Sequence, residues 1–252
     1  MDDRQGAGNI IVTLLSRINH LSPSSLALFK NQPALWCLKY LHGVKDEGGS
    51  PAMYRGIAVE AGVDHAAYGR PEAEAEKAAL DNYALNTGGE ITDEIEKERK
   101  NIAPILKVAS AAIVAHGIPT ARQVKVEARL DGVPIPVIGY VDYIYEDKLI
   151  DLKTTLRMPS SPRADHAAQV AFYALATGKR PILLYASPRE AKEYAVNSHA
   201  DALADLTRSA RALCHALSSF ASILDMSRAY APDFDSFYWD EKSIAAAKEI
   251  LR

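Results

Sequence analysis

The stretch Val137–Leu156, VIGYVDYIYEDKLIDLKTTL, decides how the chain is built. Its composition and alternation are those of β-strands, up to about Tyr145 and again from Lys148 to Thr155. Between the two runs stand Glu146 and Asp147, which predicts a two-residue hairpin turn. In that register Asp142 faces Asp151, with Cβ atoms about 4.5–5.5 Å apart. Tyr140, Asp142, Ile144, Leu149, Asp151 and Lys153 then share one face. Glu-Asp is a poor turn pair beside Asn-Gly, so the register is open to a one-residue slip or a longer loop.

Two facing carboxylates repel, and alone they destabilise a sheet. A divalent cation turns that repulsion into affinity, and hard oxygen donors suit Mg²⁺ or Mn²⁺. Lys153 beside such an ion is placed to hold or deprotonate an attacking water, or to stabilise charge building on a phosphate. The competing reading is a surface hairpin with a D-x-K salt bridge.

Outward from this hairpin, the N-terminal half reads as helices. IIVTLL near the start is a loose arm or a short strand. LSPSSLALFKNQPALWCLKYL opens with Ser22 as N-cap and Pro23 in the first helical position, and Pro33 breaks or restarts the helix. MYRGIAVEAGVDHAAYG and RPEAEAEKAALDNYALNTGG follow as helices. A further helix capped by Thr92 runs to Gly117, with a kink expected at Pro104. Past Pro119 the period changes to two, and QVKVEARL, VPIPVIGYVDYIY, KLIDLKTT and PILLYAS read as strands. DHAAQVAFYALATG interrupts them as a helix ending at Gly178, and a long helix covers about 200–223. The expected fold is α/β, a central mixed sheet flanked by helices. It is organised as one domain over 1–252, with a helical part 21–117, a sheet core 119–197 and C-terminal helices 200–252.

The 252 residues carry a net charge of −3, so any attraction to nucleic acid must come from a local basic surface. Cys37 and Cys214 are too few for an all-cysteine iron–sulfur or zinc cage and argue against a disulfide-rich secreted fold. No apolar run reaches membrane-spanning length and no signal pattern opens the chain, so a cytoplasmic protein without a membrane partner is expected.

GYVDYIYEDKLIDLKTT followed by HAAQVAFYALATG resembles the RecB-like branch of the PD-(D/E)XK nuclease superfamily. Gly139 and Asp142 match its G-x-x-D strand, Asp151 and Lys153 its D/E-x-K strand, Gln169 and Tyr173 its Q-x-x-x-Y helix. Glu127, on the strand leading in, falls where the family is often acidic. The early helical segment resembles the amino-terminal helix of RecB-like, AddB-like and Cas4-like nucleases, and YRGIAVEAGV resembles the R-G-x-x-x-H/E helix. Glu60 replaces the histidine there, as in exonucleases like that of bacteriophage lambda, and two cysteines cannot ligate an iron–sulfur cluster.

The resemblance implies a restriction-endonuclease-like core and a Mg²⁺- or Mn²⁺-dependent deoxyribonuclease in phage or bacterial recombination and repair. An exonuclease acting 5′→3′ on duplex ends is favoured over an endonuclease. It implies metal ligands Asp142, Asp151, the Leu152 carbonyl and Glu60, with Lys153 and Gln169 in catalysis. Gly56, Glu60 and Asp64 share a helical face, with Gly56 allowing close approach to the sheet. His65 lies beside that face, and His166 shares the stripe of Gln169 and Tyr173. Arg55, Tyr173, Thr154 and Arg157 are candidate DNA contacts, with Lys39, Arg163 and Thr155 as further candidates; for the cations a solvated surface is the alternative. Trp36 and Trp239 read as core. The partners implied are DNA and a single-strand annealing protein, with the oligomeric state open between one chain and a homo-oligomer. The rival class is a non-catalytic DNA-binding or assembly subunit on the same fold; a modification-dependent or RNA-directed nuclease is a second rival.

Overall fold

The structure, a computed structural model, describes residues 13–45, 48–196 and 199–252. Helices α1 (Pro23–Asn31), α2 (Pro33–Tyr40), α3 (Pro51–Ala67), α4 (Glu72–Asn86), α5 (Asp93–Arg99) and α6 (Ile102–Val114) precede the sheet. Strands β1 (Ala121–Ala128), β2 (Val137–Ile144) and β3 (Lys148–Thr154) follow, then α7 (Ala164–Thr177), β4 (Arg180–Ala186) and β5 (Ala191–Ala195). Helices α8 (His199–Ser219), α9 (Ile223–Arg228) and α10 (Glu241–Ile250) end the chain. Among the described residues the strands form one sheet in the order β1-β2-β3-β4-β5. Its pairs are antiparallel except β3 with β4, which are parallel and joined through α7. The fold is α/β with a mixed sheet between helices, as expected.

Local chemistry explains most boundaries. Ser22 and Ser25 exchange hydrogen bonds in a capping box, with Pro23 at the first helical position. Pro33 restarts the chain as α2. Thr92 accepts from the Ile95 N–H, and Gly178 ends α7 at φ +70°, a conformation a side chain would resist. The hairpin turns on Glu146 and Asp147, closed by Tyr145 N–H on the Lys148 carbonyl at 2.9 Å. Tyr143 pairs with Ile150 and Ile144 with Leu149, the anticipated register. This unfavourable turn pair is held from outside: Lys179 Nζ donates to the Glu146 carbonyl at 2.6 Å and Arg180 N–H to that of Asp147 at 3.3 Å.

Several expectations need correction. Residues 10–12 of the IIVTLL segment lie outside the described residues, and Leu14–Arg17 is one 3-10 turn rather than strand. Pro104 does not kink a long helix. The helix breaks at Lys100 and Asn101, and Pro104 falls in the first turn of α6, where its missing N–H costs nothing. β2 starts at Val137, because Pro136 offers its carbonyl to Leu21 N–H outside the strand. β5 was not anticipated, since AKEYA is short and largely polar. The helix expected over 200–223 spans His199–Ser219, and Ser222 caps α9 separately.

Each sheet face is covered. Val126, Val141, Leu149, Leu183 and Tyr185 pack on Leu26, Trp36, Val170, Phe172 and Leu213 from α1, α2, α7 and α8. Tyr143, Ile150, Leu152, Ile182 and Leu184 pack on Val59, Val63, Ile105 and Ala109 from α3 and α6. Trp36 is fully buried, and Trp239 donates its indole N–H to Gln32 Oε1 at 3.0 Å, so both are core residues. Gly139 sets how closely α7 approaches β2: a Cβ there would lie 2.5 Å from Tyr173 Cε1 and 3.3 Å from Phe172 Cε1. Gly139→Ala should therefore cost about 1–3 kcal/mol, the usual cost of overpacking. Urea denaturation checks this, and an unchanged midpoint would show that α7 yields freely.

Candidate metal and phosphate site

The sheet is irregular at one place. β1 and β2 keep one register along their length, yet the Gln123–Asp142 rung is absent from the ladder. Gln123 has φ +47°, the left-handed region that a residue with a Cβ avoids. On the other side of β2, Asp142 Oδ2 accepts the Leu152 N–H at 2.8 Å. A side-chain oxygen thus replaces the backbone acceptor a regular ladder would supply.

Around this gap lie Glu60, Asp142, Asp151 and Lys153. Gly56, Glu60 and Asp64 do form one stripe on α3, laid across the strands. A Cβ on Gly56 would sit 3.2 Å from Thr154 Oγ1. Glu60 accepts from Gln123 Nε2. Asp64 is ion-paired with Arg122 and accepts from Tyr143 OH at 3.1 Å. Asp151 is 1 % exposed. Its Oδ2 lies 2.9 Å from Lys153 Nζ, a charge contact without hydrogen-bond geometry, and its Oδ1 has no hydrogen-bond partner among the described residues. An ionised buried carboxylate with a free oxygen is costly unless something pairs with it.

The electrostatics follow from crowding. Burial, then the charges of Asp151 and Glu60, push the Asp142 carboxyl well above the usual carboxylate range. Burial and Asp151 raise Glu60 as well. Burial would lower Lys153, but Asp151 and Asp142 outweigh it and hold the ammonium charged to higher pH than usual. Lys153 is therefore a donor and a fixed positive charge, which favours holding water or steadying phosphate charge over taking a proton. His166 shares the cleft with Lys153; burial, then the Lys153 charge, lower its ring to about 4, so it is neutral near pH 7. Its Nδ1 lies 2.7 Å from Tyr185 OH.

A cleft of about 540 Å³ runs past these groups, lined by Arg55, Glu60, Leu152, Lys153, Thr154 and Arg163 among others. Not every anticipated contact points into it freely. Arg55 is 5 % exposed and ion-paired with buried Glu98, joining α3 to α5. Tyr173 is buried, its OH taking the Gln169 Nε2 donor at 2.7 Å, so the Gln169–Tyr173 pair lies in the sheet-facing wall of α7. Arg163 is held by Asp165 in a two-pronged pair. Arg157 is exposed on the loop after β3, where Thr155 Oγ1 donates to its carbonyl at 2.8 Å. Lys39 lies along a different cleft, with Trp239 and Asp240, and His65 is exposed away from the carboxylates' hydrogen bonds. Gln123 escaped the sequence analysis: a glutamine in a strand is unremarked, and its turned backbone leaves no mark in the alternation.

Among the described residues no three His, Cys, Asp or Glu side chains are gathered into a ready-made metal cage. Glu60 and Asp142 instead spend oxygens on Gln123 and Leu152. The donor set still fits a hard divalent ion: three carboxylates feel one another's charge, and Asp151 keeps a buried oxygen without a partner. Glu60, Asp142, Asp151 and the Leu152 carbonyl are the groups that would hold it.

The raised Asp142 carboxyl has a consequence for metal-free stability. Below the unfolded value of about 3.9 both states carry the proton and nothing is lost. As pH rises the unfolded chain ionises first, so native stability falls until the folded carboxyl also ionises. Asp142→Asn removes this loss while keeping an oxygen for Leu152 N–H. With chelator present, the variant's stability should gain on wild type from pH 4 toward neutrality. Parallel denaturation curves across that range would contradict the shift.

Thirteen solved chains match the structure. A crystal structure of a provisionally named exonuclease from Eubacterium rectale aligns with TM-score 0.54 at 14 % identity, covering 96 % of this chain and 93 % of that one. SSO0001 aligns with TM-score 0.35 at 20 % identity, over 75 % and 84 % of the two chains. No curated protein matches the sequence. The model of the PD-(D/E)XK nuclease superfamily matches residues 20–230. With the family model spanning most of the chain, and with Asp142, Asp151 and Lys153 on adjoining strands of a mixed sheet, this chain belongs to the PD-(D/E)XK nuclease superfamily.

Proposed function

We propose that the protein is a Mg²⁺- or Mn²⁺-dependent deoxyribonuclease that degrades DNA from duplex ends. The observation that carries this is Asp151: a buried carboxylate with an unpartnered oxygen, 2.9 Å from Lys153 and flanked by the charges of Asp142 and Glu60. Such a cluster is unfavourable by itself and becomes favourable with a divalent ion and a phosphate. The bound ion supplies a water made acidic enough to attack at neutral pH, and positive charge for the phosphate oxygens.

Asp142, Asp151, Glu60 and the Leu152 carbonyl would hold the ion. Lys153, whose ammonium the neighbouring carboxylates hold charged without an ion, would donate N–H to the water or to a phosphate oxygen and stabilise the charge that grows there. Gln169 and Tyr173 brace β2 and β3 from α7, since Gly139 lets the tyrosine ring rest on β2. Thr154 and Arg157, at and beyond the end of β3, would meet the DNA backbone, and the His166 ring, in one cleft with Thr154, stays neutral. Action at ends rests on Glu60 in place of the family's histidine, as in lambda-type exonucleases, and on the name borne by the Eubacterium rectale structure. Service in phage or bacterial recombination, beside a single-strand annealing protein, extends the same likeness.

The test compares end-labelled linear duplex with covalently closed circles, in Mg²⁺, in Mn²⁺ and in excess chelator. Linear DNA should be consumed and circles spared, with no turnover in chelator; cleavage in chelator would end the assignment. Asp151→Ala should lose both Mn²⁺ binding and cleavage. Lys153→Ala should bind Mn²⁺ at least as tightly as wild type, since a nearby positive charge is lost, while single-turnover cleavage drops roughly 10²–10³-fold. Near wild-type cleavage by the lysine variant would reduce the D-x-K pair to an ordinary salt bridge.

A further inference from the structure

Gln123 is the residue of this site whose backbone is out of place. Its neighbours Arg122 and Val124 pair regularly with Tyr143 and Val141, so no extra residue has been inserted; Gln123 alone is turned. A left-handed φ on a residue with a Cβ costs roughly 1–2 kcal/mol, and glutamine lacks the short side chain by which Asn or Asp offsets that cost locally. Strain of this kind persists where surrounding contacts hold it, and those contacts are on view. The Nε2 of Gln123 donates to Glu60 Oε1 and, at 3.2 Å, to Asp142 Oδ1. One nitrogen with two hydrogens stands between two carboxylates that repel each other. Asp151, buried with Oδ1 unpartnered, adds its charge to the same pair.

We propose that Gln123 is a further ligand-site residue that exchanges ends: its amide nitrogen faces Glu60 and Asp142 without a cation, and its amide oxygen turns inward to a divalent, oxygen-preferring cation held there. This rests on the metal-dependent nuclease reading and adds to it a ligand from β1. The two ends of a primary amide are nearly the same size and trade places by a half-turn of the terminal torsion. Carboxylates without an ion need a donor; an Mg²⁺- or Mn²⁺-class ion needs a hard oxygen. The Gln123 side chain is exposed, so the half-turn moves nothing packed. The amide thus acts as a place-holder that bridges Glu60 and Asp142 until an ion takes over their charge.

The test is calorimetric Mn²⁺ titration together with metal-free thermal unfolding on wild type, Gln123→Ala, Gln123→Met, Gln123→Gly and Gln123→Glu. Alanine, methionine and glycine remove the amide, so Mn²⁺ should bind roughly 10–100-fold more weakly, the loss typical when a group supporting a metal site is deleted. Glycine also relieves the left-handed φ, so its metal-free melting temperature should exceed that of alanine while its Mn²⁺ affinity matches it. Glutamate keeps an oxygen inward and cannot donate: Mn²⁺ should bind at least as tightly as to wild type, while the metal-free protein melts at a lower temperature. Loss of affinity in alanine and methionine together with its retention in glutamate is a split a purely structural glutamine would not produce. Mn²⁺ affinity in Gln123→Ala and Gln123→Met equal to or above wild type would overturn the exchange alone, leaving the nuclease reading intact. Absence of Mn²⁺ binding by the wild-type chain would overturn both.

Discussion

The buried carboxylate of Asp151 is the constraint from which the rest of the site follows. β3 lies inside the sheet, hydrogen-bonded to β2 on one side and to β4 on the other, with helices over both faces. A charge at that position is cut off from water by the same packing that makes the fold stable. Lys153 answers part of it from two residues along the strand. Among the described residues no hydrogen-bond donor meets the remainder, and Asp142 and Glu60 add their charge to it. A chain selected for stability alone would place an apolar residue there; retaining a cluster of like charges is the stability–function trade expected of a working site.

Burial of the charge also dictates the shape of the sheet. Regular antiparallel pairing would commit the backbone at Gln123, Asp142 and Leu152 to the ladder, with their side chains fixed by alternation. Instead the ladder opens: Asp142 reaches sideways to Leu152 N–H, and Gln123 turns to face both Asp142 and Glu60. The alternation of β2 slips at the same point, since Val141 and Ile144 pack on one side and Tyr143 on the other. One donor of the opened ladder, the Leu152 N–H, is recovered by a side-chain oxygen of Asp142.

What the sequence made legible was whatever depends on local pattern. Two residues between two alternating runs gave the hairpin and its register, while proline, serine, threonine and glycine marked helix ends at Ser22, Pro33, Thr92 and Gly178. The helical spacing of Gly56, Glu60 and Asp64 put all three against the strands. The same spacing could not say what else would reach them. Arg55 looked like a surface cation because Glu98, its buried partner, is 43 residues away on another helix. Tyr173 looked available to DNA because its burial depends on a missing side chain at Gly139. Gln123 was invisible for a third reason: a backbone dihedral is set by tertiary contacts and has no periodicity.

These partnerships bear on how a phosphate is received. Of the arginines lining the cleft, Arg55 is spent on Glu98 and Arg163 on Asp165. His166 is neutral at physiological pH. Lys153 is charged but already bound electrostatically to Asp151. The centre therefore sets three carboxyl groups against one ammonium that is already committed to Asp151, and offers a phosphodiester little free positive charge. On the proposed function, the ion is then required to admit the substrate as well as to activate water, and arginine clamps of the kind that bind phosphate directly are replaced by a carboxylate cluster that binds it through metal. On that proposal the cation would bind before the DNA, and the exposed Arg157 and half-buried Thr154, at and beyond the end of β3, would be the nearest side chains left to meet the DNA backbone.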